Sequence, residues 1–517
     1  MDVGGKVEMN IIFTSTITPD DLKRHSLIFS YLEARVTSVD GAGHGVQLYT
    51  DISAEWVAGD HGSVAQWDYG TTSDNVAYHK VYRQTQLEFS ETSDQADWGN
   101  WYYSTQNSAN LAYQSGSDAT VRGQFESTGK LENAEDTNFR PINKQYPVFG
   151  FSSGFGTVQR ETHSTLYTIC LMQERAIQFA GATGIAQLPS LWTSYFPIET
   201  DAVGSFYNDY SEASRTARGL DNKIQRDSIA AEGQAYSTAT TLAARQHLAP
   251  PSSSAIPPGS WLKLLLDPLF ENQESGQYPN KGSKTRATSL VTTKSSIDGL
   301  NTSSTKLSSP PTKSPPMISP ARLPTRQTSL SKAHIGIESM AIIANITGNT
   351  AAGEYYTNIA HSYITQWQTL GVAQDAHPPH TTLGYGLNDT HGLLYNLYGD
   401  KELALNLVPQ SVYDMQSNFY PTIVEAYGVP LDTRHEYTKN DWEMFTATVS
   451  SARTKAMFIE RIAEWIKETP TNLPMTDLHD VPTGNWPIGW GHFAARPVVG
   501  GFYAPFALSG ATSPTFE

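Results

Sequence analysis

The chain of 517 residues has a single cysteine, Cys170. An internal disulfide framework and a cysteine-based zinc site are therefore excluded, since each needs several thiols. No apolar run approaches the roughly 20 residues that a membrane helix requires, which excludes a spanning helix. The opening MDVGGKVEMN lacks the apolar core of a secretion signal, so the chain as written reads as cytoplasmic. Bases are scarce, 35 against 51 acids, and the net charge is −16. Such a charge repels polyanions and argues against nucleic acid or an anionic membrane surface as a partner. A glycine-rich phosphate loop is also missing.

The last deficit is local. Aromatic residues make up 11% of the chain, yet none occurs in the 76 residues between Tyr278 and Tyr355. Within that gap, residues 283–332 hold eight bases and one acid, Asp298, for a net charge of +7. The remainder of the chain carries −23. Ser, Thr and Pro fill 27 of the 50 positions. A stretch of this kind buries too little apolar surface to offset its ordering entropy, so 282–333 reads as a disordered insert. A basic linker that touches an acidic partner is the functional alternative.

What is present suffices for two or three domains. Residues 1–187 read as β-rich. KVEMNIIF alternates Val7, Met9, Ile11 and Phe13 at the period of a half-buried strand. SLIFSYLEARVTS, HGVQLYT, NVAYHKVYRQTQLEF and STLYTICL follow, separated by Asp, Gly, Ser and Asn clusters, as in a sandwich. From Pro189 the period becomes helical: Tyr356, Ile359, Tyr363 and Trp367 step by three and four, as do Phe458, Ile462 and Trp465. DTHGLLYNLYGDKELALN and PQSVYDMQSNFYPTIVEAYG read as further amphipathic helices between short Gly, Pro and Asp breaks. The second domain is thus 188–517, interrupted by the insert.

Most familiar catalytic patterns fail on context. Gly150-Phe-Ser152-Ser-Gly154 matches the serine-hydrolase elbow but continues as turn or strand, without the helix that motif needs. Ser329-x-x-Lys332 lies in the low-complexity stretch without its companion motifs. His377-Pro-Pro-His380 cannot place two imidazoles on one helix face, because prolines occupy the turn. No metal site and no cofactor are expected.

One segment concentrates ionisable groups. Asp432-Thr433-Arg434-His435 is followed by Asn440-Asp441-Trp442-Glu443 in a connection between helices, where a helical scaffold presents chemistry. Amide hydrolysis needs a base for water, an oxyanion donor and an acid for the departing ammonia. Asp432, Asp441 and Glu443 are the candidate acids and bases, with His391 as a further proton carrier. Arg434 and Arg496 are candidates for holding a substrate carboxylate, and Tyr385 joins them as a substrate-binding residue. The structural alternatives are specific. Asn440-x-x-Glu443 resembles a capping box, Asp441 suits the dipole of a first helical turn, and Asp432 with Arg434 can be a plain ion pair.

Long strings in the chain resemble the fungal glutaminase A family. TITPDDLKRHSLIFSYLEARVTS, DISAEWVAGD, VYRQTQLEFSE and QADWGNWYYST are similar to its N-terminal domain. LWTSYFPIETDAVGSFYNDY, PPHTTLGYGLNDTHGLLYNLYGD, LNLVPQSVYDMQSNFYPT, YGVPLDTRHEYTKNDWEMF and ARPVVGG are similar to its central helical domain. The resemblance covers 3–248, 261–281 and 334–508. It implies a β-sandwich-like domain followed by an α/α toroid of six-hairpin type. It also implies an extracellular glutaminase that converts L-glutamine and water to L-glutamate and ammonia without a cofactor. A glycoside hydrolase and a non-catalytic remnant are the alternatives from other classes.

The departures are as informative. The resemblance starts inside the family's N-terminal domain, so the chain is expected to be truncated at its start. The family's DGNDEQMP-like and PANQISTDDFAG stretches are absent between Lys281 and Ala333. Codons for Ser309–Pro320 can nevertheless be chosen so that the same bases, read out of phase, spell PANQISTDDFAG. The segment is therefore expected to be a frameshifted or mis-spliced version of family sequence, and the chain as written to be poorly folded or inactive. Transcript sequencing across 249–333 tests this: an out-of-phase match to the family string is expected, and an in-frame match to 283–332 rules it out.

Overall fold

The computed structural model describes residues 1–247, 327–471, 475–487 and 497–509, apart from 16, 19, 20, 94, 182 and 183. The insert up to residue 326 lies outside the described residues; its last residues enter the helix Gln327–Ile346. Met1–Leu220 cluster into one compact unit, and the described residues from Asp221 onward form a second.

The first unit is built around two larger antiparallel sheets, with two-stranded pairs at Glu91–Thr92/Gln95–Ala96 and Arg175–Gly181/Gly184–Pro189. The larger runs Asp2–Val3, Val7–Thr14, Phe29–Ser38, His163–Met172, Asn100–Gln106, Val76–Arg83, Val64–Thr71 and Arg140–Pro141. The smaller pairs Leu111–Ser117, Pro147–Val158 and His44–Ser53. Side chains alternate across a strand, and the neighbours Tyr102 and Tyr103 show the result. Tyr103 joins Trp67, Val81 and Tyr167 against Ile52, Phe149 and Phe151 of the smaller sheet, the interior of a sandwich. Tyr102 faces the other way, with Phe29, Tyr31, Cys170 and Met172, onto Trp192, Phe196, Val203 and Phe206. That second face is covered by the turn Leu191–Ser194 and the helix Glu199–Asn208. Its seam is polar as well as apolar: Arg24 forms two 2.8 Å hydrogen bonds to Asp209, and the Tyr31 hydroxyl donates to the Phe206 carbonyl.

Two details depart from the periodicity. The Val7–Thr14 strand exists, but Ile11 and Phe13 are exposed; only its Val7 and Met9 end is covered, by Val36 and Val158. Among the described residues the strand beyond it is the two-residue Asp2–Val3, which pairs with Val7 and Glu8 and leaves the far end uncovered. Ser152 of the elbow-like motif is buried within the Pro147–Val158 strand and accepts a hydrogen bond from the Leu131 amide.

The second unit is helical. The helix Tyr210–His247 breaks at Gly233, whose φ of +85° only glycine adopts at little cost. Gln327–Ile346 and Thr350–Leu370 follow as a hairpin, then Gln410–Phe419, Asn440–Thr448, Ala452–Glu468 and Ala504–Ser509. Phe458, Ile462 and Trp465 are buried, as their spacing predicts. On Thr350–Leu370 the buried stripe is Gly353, Ala360, Ile364 and Trp367, with Tyr356, Ile359 and Tyr363 only half-buried. The helix expected at DTHGLLYNLYGDKELALN is reduced to Tyr395–Leu397 and Tyr398–Glu402. The reason is a competing pairing: the Leu393 amide donates to the Leu431 carbonyl, and Gly392 bridges Asp432. No helix among the described residues is long and apolar enough to cross a membrane.

Phe149 sits at the centre of the first unit's core, fully buried. Phe149→Ala is expected to lower unfolding stability by about 3–5 kcal/mol. A denaturant midpoint unchanged from the parent would contradict this packing.

Candidate active site

The helix Asn440–Thr448 begins where a three-residue strand ends. Tyr437–Lys439 pairs antiparallel with Leu478–Asp480, and the Asn440 amide and side chain donate to the carbonyls of Asp477 and Thr476. This pairing fixes the first turn and buries an unusual number of polar groups. Thr438, Lys439, Asn440, Asp441, Glu443, Thr476, Asp477 and His479 all fall below a tenth of full exposure. Buried polar groups at this density call for a reason beyond packing, since each must be desolvated.

The capping box anticipated at Asn440-x-x-Glu443 does not form. Lys439 holds the cap position, and Asn440 is turned to the Thr476 carbonyl. Glu443 instead points at the preceding loop, where its Oε1 accepts a 2.6 Å hydrogen bond from the Val429 amide. Its Oε2 is buried without a hydrogen-bond partner among the described residues. Gly428, with φ of +144°, makes room: a Cβ there would lie 2.5 Å from Glu443 Oε1. Asp441, two residues earlier, leaves the helix in another direction. Its Oδ1 lies 3.4 Å from Lys439 Nζ, and its Cβ packs against Gly501. Lys439 Nζ also binds Asp477 Oδ2 at 2.8 Å.

Burial decides the charge of these acids. Desolvation raises Asp441 to about 6; Lys439 opposes that rise and Asp477 adds to it. Glu443 is raised well above the usual carboxylate range by desolvation, against the Val429 hydrogen bond, with Asp441 adding repulsion. Neighbouring carboxyls with displaced proton affinities are a mark of functional sites.

Asp432 differs. Its oxygens accept from Arg434 Nε at 2.8 Å, Nη2 at 2.5 Å and the Arg434 amide at 2.9 Å. Burial works against its charge, but the Arg434 bonds prevail and hold it below its ordinary range. Both residues are thus committed to the ion pair that the spacing allowed. His391 runs beside them, its carbonyl accepting from the Thr433 amide. Its ring meets Phe419 edge-on at 5.3 Å, its Nδ1 is buried without a partner among the described residues, and burial lowers its pKa. Tyr385 packs on the apolar cluster around Trp367 and Val412, where burial raises its pKa. Arg496 lies outside the described residues. Two groups therefore emerge, Lys439–Asp441–Glu443–Asp477 and His391–Asp432–Arg434, joined by the chain from Gly428 to Arg434.

Lys439 and Asp477 were not singled out from the sequence. Lys439 stands inside the conspicuous Thr-Lys-Asn-Asp-Trp-Glu string, and its place one residue before the helix was the available signal. Asp477 is 36 residues from Asp441 and is brought in by a strand too short to show alternation. Of the His377-Pro-Pro-His380 pair, His380 is buried and stacked on Phe419 at 4.1 Å, while His377 is exposed. Among the described residues no group of three or more His, Cys, Asp or Glu is placed to hold a metal ion.

A testable sign follows from Asp441. Its folded-state pKa of about 6 lies above the ordinary 3.8, so ionisation opposes folding. The penalty is absent below pH 3.8, grows above it and is complete above about 6. Asp441→Asn is expected to stabilise the protein at pH 7.5 by up to about 3 kcal/mol, with the gain gone by pH 4. Denaturant titrations at both pH values check this, and an equal difference at the two would contradict it.

Comparisons with known proteins place the molecule. Residues 321–506 match the model of the glutaminase A six helical-hairpin domain, and residues 1–227 match a domain of unknown function (DUF5127). Glutaminase A of Aspergillus oryzae is 46% identical over 582 aligned positions, covering 98% of this chain and 84% of that protein. A probable glutaminase of Arthroderma benhamiae is 27% identical, covering 98% of this chain and 77% of that one. Among solved structures, a bacterial glucoamylase complexed with acarbose aligns over 97% of this chain and 82% of that chain, with a TM-score of 0.44 and 8% identity. A sheet-rich N-terminal domain followed by a helical six-hairpin domain is thus the architecture, and the chain belongs to the glutaminase A family.

Proposed function

We propose that the helical domain hydrolyses the side-chain amide of L-glutamine, with Asp441 as general base and Glu443 as general acid. The observation that carries the reading is the pair of fully desolvated carboxyls at one helix start: Glu443, whose Oε2 has no hydrogen-bond partner among the described residues, and Asp441, whose Oδ1 lies 3.4 Å from Lys439 Nζ. An unpaired buried carboxyl oxygen such as Glu443 Oε2 is costly, so its persistence favours a role with substrate over one in packing. Asp441 ionises near 6 and is charged at neutral pH, as a base for water must be. Glu443 is not paired with a cation among the described residues, and burial favours its protonated form.

Asp441 takes a proton from water as the oxygen bonds to the amide carbon. The C–N bond then breaks as Glu443 delivers a proton to the nitrogen; ammonia leaves, and the new side-chain carboxylic acid gives up its proton to it, so that L-glutamate and ammonium are the products. Proton return from Asp441 to Glu443 through solvent restores the site. Both carboxyls are closed to solvent in the structure, so turnover requires the cover over the helix start to open. Arg434 is spent on Asp432, which weakens its claim to a substrate carboxylate.

Ammonia release from L-glutamine tests the reading, with p-nitrophenyl glycosides as the control for sugar cleavage. The chain as written is expected to turn over slowly, and a chain with PANQISTDDFAG restored at 309–320 faster. In the restored chain, Asp441→Asn and Glu443→Gln should each lower kcat by about 10²–10⁴-fold. A folded, restored chain that releases no ammonia would overturn the proposal, as would variants with unchanged kcat.

A further inference from the structure

The lysine beside Asp441 is shared. Lys439 ends the strand Tyr437–Lys439, so its side chain is placed by the register with Leu478, and Asp477 stands one residue before that partner. The ammonium meets Asp477 Oδ2 at 2.8 Å and Asp441 Oδ1 at 3.4 Å. The three side chains are 9%, 0% and 2% exposed, so none is relieved by water. Lys439 Nζ also lies 4.8 Å from the Trp442 ring centre, and Trp442 stacks on Tyr395 at 4.0 Å. The aromatic wall keeps the ammonium from swinging outward.

A buried arrangement of one cation and two carboxyls is a poor stabiliser. Replacing such groups by apolar residues of the same size is often neutral or favourable, because desolvation consumes the Coulomb gain. Its geometry nevertheless has a clear chemical result. The shorter contact goes to Asp477, a residue that the acid–base scheme does not use, and the longer one to Asp441, which that scheme does use.

We propose that Lys439 and Asp477 are a positioning pair for Asp441, Asp477 drawing the ammonium toward itself so that Asp441 feels only part of its attraction. The proposal rests on the reading of Asp441 as the base. A carboxylate fully paired with lysine would be charged but too weak a base, and one without any cation at this depth would stay protonated at neutral pH. The shared lysine sets an intermediate condition, in agreement with the opposed influences of Lys439 and Asp477 on Asp441.

The other groups around Asp441 leave this control in place. Glu443 on the same helix is a further acid that shares a repulsion with it, and the segment Pro497–Tyr503 brings Gly501 against its Cβ. From Tyr398–Glu402, Asp400 is engaged by the Tyr413 hydroxyl and Glu402 by that of Tyr398. Ala504–Ser509 contributes no titratable side chain, and on Ala452–Glu468 Lys455 pairs with Glu232 and Arg461 with Glu464.

The test reads the titration of Asp441 in two ways on the full chain. The first is the acid limb of kcat for L-glutamine. The second needs no turnover: the pH at which a stability difference opens between each background and the same background carrying Asp441→Asn. Asp477→Asn should move both midpoints down, and Lys439→Met should move both up, each by about one pH unit or more. Lys439→Arg should return the midpoint toward the parent's. A merely structural pair would lower stability at every pH without moving either midpoint. Coincident midpoints, or shifts of one sign in both variants, overturn the proposal. Opposite shifts in the stability midpoint without ammonia from any background uphold the charge control and sink the catalytic reading instead. Should Lys439→Met fail to fold, the isosteric Asp477→Asn and the Lys439→Arg control decide the matter alone.

Discussion

The hydrogen bond from the Val429 amide to Glu443 Oε1, 2.6 Å long and fully buried, ties the start of one helix to the loop before it. Much of the site's geometry depends on that tie. It requires the backbone at Gly428 to pass against the carboxyl, where a Cβ cannot fit. The next residues are then held in sequence: Leu431 donates to the Tyr437 carbonyl and accepts from Leu393, while Tyr427 and Val481 pair across the same region. The loop thereby serves as a common edge for the acid group on the helix and the Asp432–Arg434 pair. Backbone hydrogen bonds at a few fixed positions do the positioning, and side chains inherit it.

The sequence revealed those parts of the fold in which a period repeats. The strands of the N-terminal domain and the Phe458–Ile462–Trp465 stripe were legible, because several turns or pleats of one pattern outweigh local exceptions. Short elements were not. His391 and Leu393 look helical in isolation, but the pairing of Leu393 with Leu431 competes for the same backbone groups and wins. The site shows the same division. Asp441 and Glu443 were conspicuous as acids in a connection, and both fall in the first turn of the helix, whereas the capping box that was the structural alternative for Asn440 and Glu443 does not form. A capping box is a local rule, and here the Asn440 side chain is drawn to Thr476, a contact that no local rule contains. Asp477 was invisible for a related reason: its partner strand spans three residues, and nothing in its neighbourhood announces a contact with Lys439.

The two domains use burial differently. In the sandwich, aromatic rings fill both faces of one sheet, and the polar contacts along its helical cover lie at the margin, as with Arg24 and Asp209. In the helical domain the polar groups are carried into the interior at the start of Asn440–Thr448. The first arrangement stabilises. The second lowers stability locally, and proteins retain such a feature where chemistry needs groups whose charge responds to small changes in surroundings. The family relationship gives that difference a natural context, since hydrolysis of an amide requires both a proton donor and a proton acceptor at nearly neutral pH.

The lone cysteine has a practical meaning beyond the disulfides it excludes. Cys170 is fully buried among Tyr31, Tyr102 and Met172, and burial pushes its thiol pKa up, away from the reactive thiolate. The folded chain therefore offers oxidants and alkylating reagents almost no reactive thiol. A cysteine introduced on the surface of this protein would be a unique handle, and labelling of the native residue would report on the opening of the sandwich domain itself.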